Sequence, residues 1–161
     1  MKIVYVHHAL RDMGNPPSQN DDLKELGRQD ARIVAKILEE CKNNGWKVKS
    51  IYSSPFYRCM ETSRIINETL NVDIIQEPRF NEFKSVENED WVGLQNRVRQ
   101  ALFDIVDTHQ DDETVICVTS GVNVGAFISL AYKFKPSKDT PFIGVPSCSP
   151  LIFNITKDNF I

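Results

Sequence analysis

Short runs of β-branched and aromatic residues alternate with longer stretches in which apolar side chains recur at helical spacing, and this alternation organises the chain. Lys2 to Val6 reads as a strand and is followed by a polar loop containing Gly14, Pro16, Pro17 and Ser18. Beyond it Ala31, Val34, Leu38 and Cys41 mark one face of a helix. Asp22 and Glu25 form a capping-box-like pair at its start, and Asn44-Gly45 stops it. Val48 to Tyr52 is a second strand. Ser53-Ser54-Pro55 then supplies N-cap candidates and a first-turn proline for a helix reaching about Leu70.

The second half repeats the scheme less regularly. Val72 to Ile75 predicts a third strand, Glu77 to Asp90 an irregular acidic segment, and Trp91 to Thr108 a helix. Thr114 to Val118 is almost continuously apolar, as expected of a strand buried on both faces, and so belongs centrally in the sheet. Ser120-Gly121 turns the chain into an apolar helix over Val122 to Tyr132. Phe142 to Val145 and Leu151 to Ile155 read as closing strands. Alternating strands and helices predict a three-layer α/β/α sandwich with a mostly parallel central sheet, formed by residues 1–161 as a single domain.

Composition narrows the partners. A 41% hydrophobic, 25% charged chain of 161 residues is long enough for one well-buried core. Its net charge of -3 offers no general attraction for nucleic acid or an anionic membrane, although an acidic total can still contain a local basic pocket. Cys41, Cys59, Cys117 and Cys148 form no CxxC pair or zinc-type cluster, and no export signal precedes them. They read as reduced thiols of a cytoplasmic protein, packing groups rather than nucleophiles.

In parallel sheets ligands collect beyond the carboxyl ends of the strands. Three loop starts there carry polar groups: His7, His8 and Arg11; Ser53, Ser54 and Arg58; and Thr119, Ser120 and Gly121. Helices starting near Ser54 and Gly121 would add backbone N–H groups and positive dipole ends, completing an anion cradle. Phosphate suits it, because a guanidinium fork matches its oxygens and a neutral imidazole can attack phosphorus in line. A cation in a first helical turn, as Arg58 is placed, is better explained by an anion ligand than by a surface role. His8 alone reads more readily as a backbone-bonded loop histidine than as a nucleophile, and His7 faces the crevice together with His8 only if the strand ends there.

These residues resemble the histidine phosphatase (phosphoglycerate mutase-like) superfamily over nearly the whole chain. Its Arg-His-Gly motif corresponds to His7-His8-Ala9, and its Leu-Thr-x-x-Gly helix start to Leu23-Lys24-Glu25-Leu26-Gly27. Its Ser-Ser-Pro-Leu-x-Arg-Ala-x-Gln-Thr stretch is similar to Ser53-Ser54-Pro55-Phe56-Tyr57-Arg58-Cys59-Met60-Glu61-Thr62, the strongest single match. Its Leu-x-Glu corresponds to Phe80-Asn81-Glu82, and its Ser-His-Gly-Gly to Thr119-Ser120-Gly121-Val122.

The resemblance implies a phosphoglycerate mutase-like fold, His8 as the phosphorylated nucleophile, Arg58 as a phosphate ligand and Glu82 as proton donor to the leaving oxygen. Two usual members of the pocket are replaced, the arginine before the nucleophile by His7 and the second histidine by Ser120. Losing one such donor typically costs about a hundredfold to a thousandfold in turnover. Compensation is visible: Arg11 stands where a second arginine stands in the Arg-His-Gly-x-Arg form of the motif, His7 can be cationic near an ordinary pKa of about 6.5, and Ser120 retains one donor.

The expected function is a phosphomonoester hydrolase that needs no cofactor and no metal and acts on a small phosphorylated substrate or a phosphoprotein. The competing expectation is a weak or inactive pseudo-phosphatase that binds phosphate esters or phosphoprotein. A Rossmann-type or flavodoxin-like module is disfavoured by the lack of GxGxxG and P-loop motifs. Substrate choice is expected from the loops 13–20, 83–90 and 133–140.

Overall fold

A computed structural model describes the chain apart from residues 15, 17, 84, 85, 140, 141 and 157–161, so parts of all three specificity loops lie outside the described residues. Five strands, β1 (Lys2–His7), β2 (Lys47–Ser53), β3 (Asp73–Gln76), β4 (Glu113–Thr119) and β5 (Pro150–Asn154), form one sheet in the order β3-β2-β4-β1-β5. All pairings are parallel except that of β5 with β1. Four helices, α1 (Glu25–Asn43), α2 (Tyr57–Leu70), α3 (Trp91–Thr108) and α4 (Val124–Ala131), cover its faces.

Strand alternation makes the three layers. Val4 and Val6 of β1 and Ile116 and Val118 of β4 pack with Ala31, Val34 and Leu38 of α1 and Ile65, Ile66 and Leu70 of α2. The intervening Ile3, Tyr5, Val115 and Cys117 pack with Leu94, Val98 and Leu102 of α3 and Phe127 and Leu130 of α4. Every residue of β4 is buried, as the almost continuously apolar run from Thr114 to Val118 predicts.

Several local expectations are corrected. The pair Asp22 and Glu25 makes no capping box: α1 begins at Glu25 behind Lys24, which gives no side-chain cap. The preceding residues are instead held extended against the loop after β1, by an Arg11–Leu23 antiparallel bridge, Asp12 N–H to Asp22 O (2.8 Å) and Lys24 N–H to Leu10 O (2.9 Å). Neither Ser53 nor Ser54 is the N-cap of α2; Phe56 is. A 3-10 turn, Gly121–Asn123, precedes α4.

Residues 142–145 form no strand. Phe142 and Ile143 are exposed, Pro146 has no N–H to pair, and the Val145 carbonyl lies 2.7 Å from the His7 ring. The available edge of β1 is taken by β5.

Candidate active site

Two hydrogen bonds to the end of β4 bring the loop starts together. His8 N–H donates to Thr119 O at 2.9 Å and Ser54 N–H to Val118 O at 3.0 Å, so the chain leaving β1 and the chain leaving β2 meet over one strand end. β1 ends at His7, and the loop begins with His8. Both histidines therefore line one open cleft of about 490 Å³, together with Arg11, Asp12, Lys24, Glu82 and Ser147. Their rings meet edge to face, 4.6 Å between centroids.

His8 is fixed at both nitrogens. Nδ1 lies 2.9 Å from Ala9 O, an acceptor only, so Nδ1 carries the proton and Nε2 keeps its lone pair. Arg58 Nε donates to that lone pair at 3.1 Å. Burial, reinforced by His7 and the nearby arginines, pulls the His8 pKa down to about 3, so the imidazole is neutral at ordinary pH. Its loop is pinned from α2 by Thr62, whose Oγ1 accepts from Ala9 N–H (2.9 Å) and donates to Arg58 O (2.7 Å). Gly27 of α1 supports the next residue: a Cβ there would stand 2.3 Å from Leu10 O and 2.8 Å from Leu10 N, so only glycine permits this approach.

Arg58 is 1% exposed, the largest fully buried side chain of the protein. Burial lowers the pKa of its guanidinium, and Cys59 and Glu82 oppose the shift. It stacks over the Phe56 ring at 4.9 Å, contacts Glu82 Oε2 through Nη2, and leaves Nη1 buried without a partner. One guanidinium thus joins His8 to Glu82. Glu82 follows the 3-10 turn Pro78–Phe80, whose Phe80 side chain is fully buried in the α3/α4 core.

His7 departs from its expected state. Its Nδ1 contacts Val145 O at 2.7 Å, and a Cβ on Gly121 would strike its ring at 2.9 Å. Burial lowers the His7 pKa more than the Val145 and Pro146 carbonyls and Glu82 raise it. Burial therefore works against the cationic state that an ordinary pKa of about 6.5 would allow, and His7 is a neutral ring at neutral pH. Arg11 reaches the cleft but is engaged by buried Asp21 (3.1 Å) and by Ser18 O (3.3 Å). Ser120 is 3% exposed; it gives no cap, its carbonyl accepts from Tyr5 Oη–H at 3.0 Å, and its Oγ has no partner.

Residues not singled out from the sequence complete the surroundings: Asp21 on Arg11, Asn123 around residues 80–82, and Ser147 on the cleft rim, while Ser54, expected as a cap and cradle group, instead donates to Asn81. The Ser53–Thr62 match includes Thr62 without giving it a task, and the structure gives it one, holding Ala9 N–H and Arg58 O. Cys59 and Cys117 are buried free thiols whose pKa values are raised by burial, that of Cys59 to about 12. Among the described residues no group of three or more His, Cys, Asp or Glu side chains is arranged to hold a metal. No helix there is long and apolar enough to cross a membrane.

Residues 16–90 match the family model of the histidine phosphatase superfamily (branch 1); the match begins after His7-His8 and ends before Ser120. No curated protein matches the chain by sequence. Among solved structures, YhfR of Bacillus stearothermophilus is 22% identical with a TM-score of 0.73, over 94% of this chain and 89% of that one. A mycobacterial glucosyl-3-phosphoglycerate phosphatase, solved with VO3, is 18% identical at TM-score 0.74, over 94% and 90%. The protein histidine phosphatase SixA, solved with tungstate, is 15% identical at TM-score 0.73, over 99% and 91%. Residues 16–90 are thus similar to the histidine phosphatase superfamily, and the chain shares the phosphoglycerate mutase-like fold of these structures.

Proposed function

We propose that the protein is a phosphomonoester hydrolase working through a phosphohistidine on His8. The observation that carries the reading is the state of His8: a buried, neutral imidazole whose Nδ1–H is committed to Ala9 O and whose Nε2 lone pair faces the Arg58–Glu82 pair. A tetrahedral phosphate entering the cleft would take over the Arg58 donors, including the unpartnered Nη1, and free the Nε2 lone pair. Ser120 Oγ, Arg11 and His7 are the remaining ligands proposed for its oxygens. A neutral His7 serves there as an acceptor for a protonated phosphate oxygen or takes up a proton as the anion arrives.

Nε2 then attacks phosphorus, forming the P–N bond as the P–O bond to the leaving group breaks, and the Glu82 carboxyl gives that oxygen its proton. In the second half, the Glu82 carboxylate takes a proton from water as the water oxygen attacks phosphorus and the P–N bond breaks. No metal or cofactor enters either step. The phosphatases that share the fold include one named for glucosyl-3-phosphoglycerate and one named a protein histidine phosphatase, and both classes suit an open cleft. We assign this chain a small phosphate ester or a phosphoprotein as substrate and expect it to work in the cytoplasm.

Phosphate release from p-nitrophenyl phosphate, at neutral and mildly acidic pH, tests the reading. Release by the native protein that disappears in His8→Ala and survives a chelator supports it. Equal rates in both proteins would sink it. A second reading, a phosphate-binding protein without turnover, is favoured by Arg58 Nε occupying the nucleophile's lone pair and by the exchange of the second histidine for Ser120. Orthovanadate binding with no release would favour that reading.

A further inference from the structure

We propose that Asn123 and Ser54 are positioning residues for Glu82, a role that rests on reading Glu82 as the proton donor. Glu82 lies on an irregular segment, so no helix or strand fixes its direction. Side chains do this instead, acting on the residues immediately before it: Asn123 and Ser54, together with Thr119 and Arg97.

Asn123 is 1% exposed, and its amide nitrogen faces Phe80 O (2.8 Å), Thr119 Oγ1 (2.6 Å) and Asn81 O (3.4 Å). Both carbonyls accept only, which fixes the amide orientation. Thr119 Oγ1 donates to the same Phe80 O at 2.6 Å. Thr119 at the end of β4 and Asn123 in the 3-10 turn after it thereby grip the two peptide units that precede Glu82. From the opposite side Ser54 Oγ–H donates to Asn81 Oδ1 at 2.7 Å, while Phe56 N–H donates to Ser54 Oγ at 3.3 Å. Phe56 is the N-cap of α2, and Arg58 is the second residue of that helix. Ser54 therefore links the backbone entering the Arg58 helix to the residue next to Glu82. These bonds, with that from Arg97 to Asn81 O, direct the chain from which Glu82 meets Arg58.

Misplacing a catalytic group by about 1 Å can cost on the order of a hundredfold. A displaced proton donor has a particular signature, because an alkyl oxygen needs the proton and a p-nitrophenolate leaves without it. Asn123→Ala and Ser54→Ala are compared with Glu82→Gln on glycerol phosphate and on p-nitrophenyl phosphate. Expected for each clamp variant is a fall of about 10- to 100-fold in kcat on glycerol phosphate and less than about threefold on p-nitrophenyl phosphate.

Equal losses on both substrates, which partial unfolding would give, overturn the inference. A flat response of Glu82→Gln across the two leaving groups overturns the proton-donor reading itself, and the positioning role with it. A readout that needs no turnover is amide-type exchange of the Arg58 guanidinium protons by NMR. Their exchange accelerates in both clamp variants if the clamps hold the ion pair. Unchanged Arg58 exchange in a folded Asn123→Ala protein overturns the inference even if the protein proves to be a binder.

Discussion

The side of the cleft proposed to carry the nucleophile and the side proposed to carry the acid are built by different means. His8 and Arg58 sit within two residues of a strand end and a helix start, where backbone ladders fix the chain before any side chain contributes. Glu82 follows a 3-10 turn on a segment held by polar side chains from elsewhere: Ser54, Thr119, Asn123 and Arg97. Arg97 donates to Arg79 O at 2.6 Å and Asn81 O at 3.1 Å while gripping Glu89 through two nitrogens. In the proposed reaction His8 forms and then breaks one P–N bond per turnover, and such a group gains from rigid support. A group that must lose and recover a proton sits where the chain can be adjusted by one or two bonds.

The contrast can be broken most strongly at His8. His8→Ala is expected to lower phosphate release by about a thousandfold or more whatever the leaving group, measured as initial rates on the two esters above. Glu82→Gln is expected to cost about a hundredfold to ten-thousandfold on an alkyl phosphate and far less on p-nitrophenyl phosphate. If both variants showed the same leaving-group dependence, the two sides would not be chemically distinct.

Stability against pH sharpens the comparison. Folded His8 stays neutral down to about pH 3, whereas an unfolded histidine takes its proton near its ordinary value of about 6.5. Between these limits the unfolded chain binds more protons, so the His8 contribution to stability is lost as pH falls from about 6.5 towards 3. Between pH 7 and pH 4.5 it amounts to roughly 2–3 kcal/mol. The check is the part of the urea-midpoint shift that His8→Ala removes; an identical shift in the variant would contradict the buried neutral imidazole.

Gly27→Ala presses on the nucleophile side alone. The clash with the Leu10 backbone is expected to cost about 1–3 kcal/mol in urea unfolding and to slow both esters equally. The smallest effect belongs to Ser120→Ala. Removing a buried hydroxyl that has no partner leaves stability within about 0.5 kcal/mol, while inorganic phosphate affinity, read by calorimetry, falls a few-fold. A loss of stability without a change in affinity would remove Ser120 from the proposed ligands.

What the sequence reveals follows the same division. β1, β4 and the four helices are legible because burial imposes a period on their side chains, and His8 and Arg58 are legible because they stand at the ends of such elements. The grip on Glu82 is not. Its bonds join residues as far apart in the chain as Phe80 and Asn123, and a single serine or asparagine in a loop leaves no periodic trace. The Asp22 and Glu25 spacing misleads for a related reason: the extended pairing of residues 21–24 with the loop after β1 overrides the local helix-start signal. Residues 142–145 have the composition of a strand, but their side chains are partly exposed and no sheet edge receives them. The neutral state of His7 depends on burial that only the assembled fold creates.

The contact between Gly27 and the backbone of Leu10 also governs how this sequence can drift. It constrains the path of the main chain at position 10 but not the side chain there, which is 38% exposed. Substitutions at Leu10 can therefore accumulate on the rim of the cleft and reshape what it admits, while position 27 stays closed to every residue with a Cβ. One invariant backbone contact beneath a variable surface side chain lets the protein explore new ligands without disturbing the histidine two residues away.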